Sequence, residues 1–217
     1  MECIAHRGFA DRYPENTLGA VRAAERADLV EVDARRSADG EVVVVHDETV
    51  DRVTGTTGAV RDFTAEELAA LDVLGSGEGV PMLASVCEAL PADVGINVEL
   101  KERGLAADVA AVLDGAGPDR VLVSSFDAGA LREMREAGDW PLAYVFEEAP
   151  EAGLDRARDL GCAAVHPEWR LLDEGFVAAA REGDLAVNAW TVDDAESARR
   201  ARRAGVDGLI ADSPEFC

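Results

Sequence analysis

Two of the three histidines in this chain close short apolar runs beside charged residues. His6 ends the first run in Ala5-His6-Arg7-Gly8, and His46 ends Val42-Val43-Val44-Val45-His46-Asp47. Histidine is the side chain whose ordinary pKa suits proton transfer near neutrality, so the pair are candidate catalysts or ligands, with a structural role as the alternative. Glu31-Val32-Asp33 places two carboxylates on one side of a strand, and Glu99-Leu100-Lys101 places a carboxylate and an ammonium likewise. Charged groups on the inward side of buried strands are costly unless paired or metal-bound. Three carboxylates with oxygen donors alone suit Mg²⁺ or Ca²⁺ and not zinc. His166, in Ala164-Val165-His166-Pro167, lacks charged company and reads as structural or peripheral.

The elements that must position these residues alternate along the chain. Apolar runs recur at 2–6, 29–34, 41–46, 94–100, 121–125, 141–146, 162–166, 185–192 and 206–211. Between most of them lie stretches with helical periodicity: 17–27, 82–90, 105–114, 127–137, 150–160, 172–182 and 194–204. Strand–helix alternation implies parallel strands with crossover helices, in a closed barrel or an open doubly wound sheet. Runs 29–38 and 41–46 are joined only by Asp39-Gly40, a hairpin signal, so these two are antiparallel and one of them stands outside a barrel. A two-residue turn would set Ala38 opposite Glu41 and His46 opposite Asp33, bringing Glu31, Asp33 and His46 to one face. Residues 47–80 are long, polar and glycine-rich, with a short helix expected at 64–72, and read as an insertion beside the site. Only a short stretch follows the last run, so a closing helix is expected to be absent or minimal.

In order along the chain, His6-Arg7-Gly8, Pro14-Glu15-Asn16-Thr17, Glu31-Val32-Asp33, Asp39-Gly40, Val44-Val45-His46-Asp47 and Glu99-Leu100-Lys101 resemble the motifs of the glycerophosphodiester phosphodiesterase family. Ser125-Phe126-Asp127, Trp190-Thr191-Val192 and Gly205-Val206-Asp207-Gly208-Leu209-Ile210 resemble its later motifs. The resemblance implies one TIM-type (β/α)8 barrel domain over 1–217, with a hairpin after the second strand and the 47–80 segment as a small insertion. It implies metal-dependent hydrolysis of glycerophosphodiesters to glycerol phosphate and an alcohol. Glu31, Asp33 and Glu99 match the metal ligands, His6 and His46 the acid/base pair, and Arg7 and Lys101 the phosphate-side cations. Trp190 matches an aromatic that faces the glycerol. Asn16 is expected to cap a helix starting at Thr17, which would make Pro14 to Thr17 mainly architectural. Two other readings use the same residues: a transfer or cyclising enzyme, and a barrel that binds phosphodiesters without cleaving them.

Composition narrows the setting. Against 44 Asp and Glu stand 21 Lys and Arg, a net charge of −23 in 217 residues. Such a field repels nucleic acid and anionic membranes, so neither is an expected partner; the small-molecule glycerophosphodiester is the partner the resemblance implies. Of the 21 cations only Lys101 is a lysine. An acidic, lysine-poor surface suits concentrated salt, although an arginine-rich codon bias also yields it. The cysteines at 3, 87, 162 and 217 form no close pair, which predicts incidental thiols in a reducing compartment. The first residues show no signal-peptide pattern, and no run is long enough to span a bilayer, so a cytoplasmic protein is expected.

Overall fold

The computed structural model describes all 217 residues. All nine apolar runs form strands: β1 (Glu2–His6), β2 (Leu29–Arg36), β3 (Val42–Val44), β4 (Gly95–Leu100), β5 (Val121–Ser125), β6 (Leu142–Phe146), β7 (Ala164–Pro167), β8 (Ala186–Val192) and β9 (Gly208–Ala211). Eight of them pair in parallel in the order β1-β9-β8-β7-β6-β5-β4-β2, and β1 pairs back with β2 to close a TIM-type barrel. β3 is the extra strand, antiparallel to β2 and outside the ring. Around the barrel run α1 (Leu18–Ala23), α3 (Leu83–Ala89), α4 (Ala106–Ala116), α5 (Ala128–Ala137), α6 (Pro150–Asp159), α7 (Glu174–Glu182) and α8 (Ala195–Ala204). The strands read as continuous apolar runs because both faces are covered, by helices outside and side chains within. No helix is long and apolar enough to cross a membrane.

The hairpin departs from its expected register by one residue. The loop holds three residues, Ala38 to Gly40, so Ser37 faces Glu41 and Asp33 is bonded through its carbonyl to Val45 N at 2.9 Å. Gly40 sits at φ 91°, the left-handed position that ends a three-residue hairpin loop. The Ser37 hydroxyl reinforces the loop, donating to Asp39 Oδ1 at 2.6 Å and accepting from Glu41 N at 3.0 Å. In a regular strand this slip would send His46 to the opposite face. Instead β3 stops at Val44, the chain bends at 46–48, and His46 still comes near Asp33.

The segment 47–80 carries its own apolar cluster. Val50, Val53, Val60, Ala65, Leu68, Val73 and Val80 bury against Val43 and Val45 of the hairpin. The expected helix there is short, α2 (Ala65–Ala69), capped reciprocally by Thr64 and Glu67.

The cysteine expectation needs correction. Cys3 and Cys217 form a disulfide, with Cα atoms 5.1 Å apart across a sequence separation of 214. Spacing rules detect near pairs, whereas barrel closure makes the first strand a neighbour of the residues that follow the last one. Cys87 and Cys162 are free, as expected, and burial pushes both thiols up to about 11.

Candidate active site

The barrel register gathers the charged residues at the C-terminal ends of the strands, where this architecture places its chemistry. His6 on β1 is level with Glu31 on β2, and Asp33 is level with Glu99 on β4. Glu31 and Asp33 are only 2% and 1% exposed. One carboxylate oxygen from each of Glu31, Asp33 and Glu99 lies within 4.8 Å of the others.

Cations lie against this cluster. Lys101 Nζ is 2.6 Å from Glu99 Oε1 and 3.5 Å from Asp33 Oδ1, and Arg7 Nε is 3.2 Å from Asp33 Oδ2. Burial works against the charged form of Asp33, yet Arg7, Lys101 and His46 hold its carboxyl at about 2. Glu31 has weaker cover: the Arg7 backbone N–H donates to its Oε2 at 3.1 Å, and the charges of His6 and Arg7 favour its ionised form without prevailing. Burial, and then the charge of Asp33, push it up to about 8, and its buried Oε1 has no hydrogen-bond partner in the protein. An orphaned, buried carboxylate oxygen facing two further carboxylates fits a hard divalent cation bound by oxygen. The expected ligand set therefore stands together in the fold and suits Mg²⁺ or Ca²⁺.

Both expected acid/base histidines are braced in the same way. His6 Nδ1 is 2.6 Å from Asp212 Oδ1, and His46 Nδ1 is 2.6 Å from Asp47 Oδ1. A carboxylate at Nδ1 leaves Nε2 for chemistry. His6 Nε2 points toward Glu31, 4.0 Å from Oε2. The environments push the two rings apart. For His6, burial is outweighed by the Asp212 hydrogen bond and the Glu31 charge, which raises it; for His46, burial together with Arg7 and Lys101 lowers it.

Further residues support or line the site. Asn16 does not cap α1; Thr17 does, accepting from Ala20 N at 3.2 Å. Asn16 adopts φ 58°, and its amide donates to Asp33 Oδ2 at 2.8 Å while its buried Oδ1 has no partner. Glu15 accepts from Arg7 Nη1 at 2.9 Å. Pro14 to Thr17 therefore supports the site and is not merely architectural. His166 is not peripheral: with His6, Glu31, Asn97, Glu99 and Trp190 it lines a small cavity under the carboxylates. Its ring nitrogen meets the Asn188 amide at 3.2 Å, and burial drives its pKa down to about 3, so it stays neutral. Trp190 is half-buried against Ile4, Leu29 and Ile210, and its indole donates to His166 O at 2.7 Å. Phe126, 41% exposed at the mouth, meets Trp190 edge-on at 5.3 Å.

Comparison with known proteins agrees with this geometry. The profile of the glycerophosphoryl diester phosphodiesterase family matches residues 6–216. A glycerophosphodiester phosphodiesterase of Caldanaerobacter subterraneus is 33% identical, the match covering 98% of this chain and 94% of that protein. Among solved structures, a Thermotoga maritima glycerophosphodiester phosphodiesterase is 32% identical with a TM-score of 0.83, covering 98% and 94% of the two chains. An Oleispira antarctica phosphodiesterase, solved with the product sn-glycerol-3-phosphate, is 29% identical with a TM-score of 0.91, covering 99% and 94%. With its barrel, its strand-end carboxylates and these matches in agreement over nearly its whole length, the chain belongs to the glycerophosphoryl diester phosphodiesterase family and is an enzyme of that activity.

Proposed function

We propose that this chain, as one barrel domain with 47–80 as an insertion, hydrolyses glycerophosphodiesters to glycerol phosphate and an alcohol. A divalent cation, Mg²⁺ or Ca²⁺, is held by Glu31, Asp33 and Glu99, and His6 and His46 move the protons. The observation that carries the reading is the paired bracing of the histidines, each with Nδ1 on a carboxylate at 2.6 Å beside the carboxylate cluster. One Nε2 accepts the proton of the attacking water, or of the glycerol's neighbouring hydroxyl to form a cyclic phosphate that water then opens, while the other returns a proton to the alkoxide departing as its P–O bond breaks. When bound, the cation supplies Lewis-acid polarisation and a template for the phosphate oxygens. Arg7 and Lys101 balance the charge that grows on the phosphoryl group. Trp190, with Phe126 beside it, offers an apolar wall to the glycerol carbons. The Oleispira relative's bound glycerol phosphate supports the same product here. The excess of carboxylates supports a working environment of concentrated salt.

The test is conversion of glycerophosphodiesters followed by ³¹P NMR. Wild-type protein should release glycerol phosphate, lose activity in excess chelator, and regain it with Mg²⁺ or Ca²⁺ better than with Zn²⁺. His6→Ala and His46→Ala should each lower kcat by about 10²–10⁴-fold while the fold persists. Full turnover in chelator would remove the metal from the reading. A cyclic phosphate as the final product would move the enzyme to the transfer class.

A further inference from the structure

We propose that Arg52, which lies outside the motifs quoted above, is a positioning residue that joins the two sides of the site, fixing Asp47 behind His46 and Glu15 behind Arg7 at once. The inference rests on the roles proposed above for His46 and Arg7. All three kinds of guanidinium nitrogen are engaged. Arg52 Nε donates to Asp47 Oδ2 at 2.6 Å, Nη1 to Glu15 Oε2 at 2.7 Å, and Nη2 to Glu15 Oε1 at 2.9 Å. Each carboxylate turns its remaining capacity to the site: Asp47 Oδ1 to His46 Nδ1 at 2.6 Å, and Glu15 Oε1 to Arg7 Nη1 at 2.9 Å. Arg7 in turn reaches Asp33 at 3.2 Å. Charge-assisted hydrogen bonds thus run from His46 through Asp47, Arg52 and Glu15 to Arg7, which lies at ion-pair distance from a proposed metal ligand.

Two features separate this from an ordinary surface ion pair, which contributes little. Glu15 is buried, at 9% exposure, so its geometry is set by its partners and not by water. Arg52, although its side chain is half-exposed, has a firm base: Val53 next to it and Val50 two residues before it are both buried in the insertion's own apolar cluster. The insertion thereby presents one fork of donors to two carboxylates. A lysine would keep the charge but not the fork, since one ammonium cannot make the bidentate contact with Glu15 and also hold Asp47.

The consequence is read at His46. Asp47 accepting at Nδ1 places the proton of the neutral ring there and leaves Nε2 open, the opposite of the tautomer a free histidine side chain favours. Without Arg52, Asp47 loses its second anchor and the ring loses its fixed partner. The test is ¹⁵N NMR of the histidine rings in metal-free wild type, Arg52→Ala and Arg52→Lys, with kcat and KM of the metal-loaded proteins alongside. Wild-type His46 should be the Nδ1–H tautomer. Both variants should fold and show His46 as a mixture or as Nε2–H, with His6 unchanged. Their kcat should fall by about 10–100-fold, the range found when a partner that orients a functional histidine is removed. Should Arg52→Ala fail to fold, Arg52→Lys decides alone. A His46 that keeps a single Nδ1–H tautomer in the folded variants, or a wild-type kcat in either of them, overturns the proposal. Failure of the functional reading is distinct: wild type would then be inactive on every glycerophosphodiester, while the tautomer would still report on Arg52.

Discussion

On one side of the barrel, β2 and β4 bury Glu31, Asp33 and Glu99 among Arg7, Lys101 and His6. On the other, β7 and β8 bury His166 and Asn188 as neutral groups bonded to each other at 3.2 Å. The histidines make the contrast plain. For His166, burial is the whole influence, and it drives the ring to about 3. For His6, burial acts in the same sense, but the Asp212 hydrogen bond and the Glu31 charge overcome it and the ring is raised. Burial alone neutralises a polar group; burial beside fixed charges of opposite sign keeps it charged. The chemistry gathers on the side where charge is kept, and the neutral side supplies a floor.

Adding a proton to the neutral side should break the fold. His166 binds a proton near 6.5 when unfolded and only near about 3 when folded. Between those values the unfolded state holds more protons, so stability falls as pH falls, by about 1.4 kcal/mol per unit. Urea denaturation of wild type and His166→Gln at steps from pH 7 to 4.5 isolates this contribution from the carboxylates. The variant's curve should be flatter by that slope. Parallel curves would place a proton on His166 in the folded protein and remove the contrast with His6.

An effect of similar size is expected at the seam between the two sides, where β1 meets β9. There the Cys3–Cys217 disulfide ties the first barrel strand to the residues following the last. Closing nearly the whole chain into one loop restricts the unfolded ensemble, a stabilisation of about 2–5 kcal/mol. Wild type treated with a reductant should melt lower than untreated protein, and Cys3→Ser should melt at the reduced value in both conditions. Equal melting of all four samples would show that the seam is held by strand pairing alone.

The legible part of the molecule followed from local rules. Alternating strands and helices, and the inward carboxylates of Glu31-Val32-Asp33 and Glu99, need only periodicity and parallel pairing. The meeting of His46 with Asp33 was anticipated from a two-residue turn, yet the loop has three, and a bend after Val44 restores the approach. What escaped was the support behind the site. Asp212 lies 206 residues from His6, Arg52 is 37 from Glu15, and Asn16 is 17 from Asp33. Such contacts join loops across the barrel mouth, and no periodicity encodes them. Asp212 had one usable signal: barrel closure makes β9 the neighbour of β1, so a carboxylate just past the last strand must stand near His6. The same reasoning would have found the disulfide.

The finest test reshapes charge on the charged side without removing it. Lys101 is the only lysine among 21 cations, and its ammonium sits between Glu99, at 2.6 Å, and Asp33, at 3.5 Å, with the Phe126 ring centroid 5.9 Å away. Its side chain is 12% exposed. That space suits a compact point charge on a flexible stem and not a planar fork, which is wider and directs its hydrogens in one plane. In Lys101→Arg the guanidinium would have to displace Phe126 or part Glu99 from Asp33. Either shift moves a proposed metal ligand or the wall beside Trp190. The expected cost is on the order of 10-fold in kcat/KM, about 1.4 kcal/mol of transition-state stabilisation. Steady-state kinetics at saturating metal, with metal affinity by calorimetry, separates the two routes: weaker metal binding implicates Glu99 and Asp33, whereas unchanged affinity with a raised KM implicates the Phe126 wall. Kinetics equal to wild type would mean that this side requires a positive charge there but not its shape, leaving Lys101 as an ion-pair partner of Glu99 and no more.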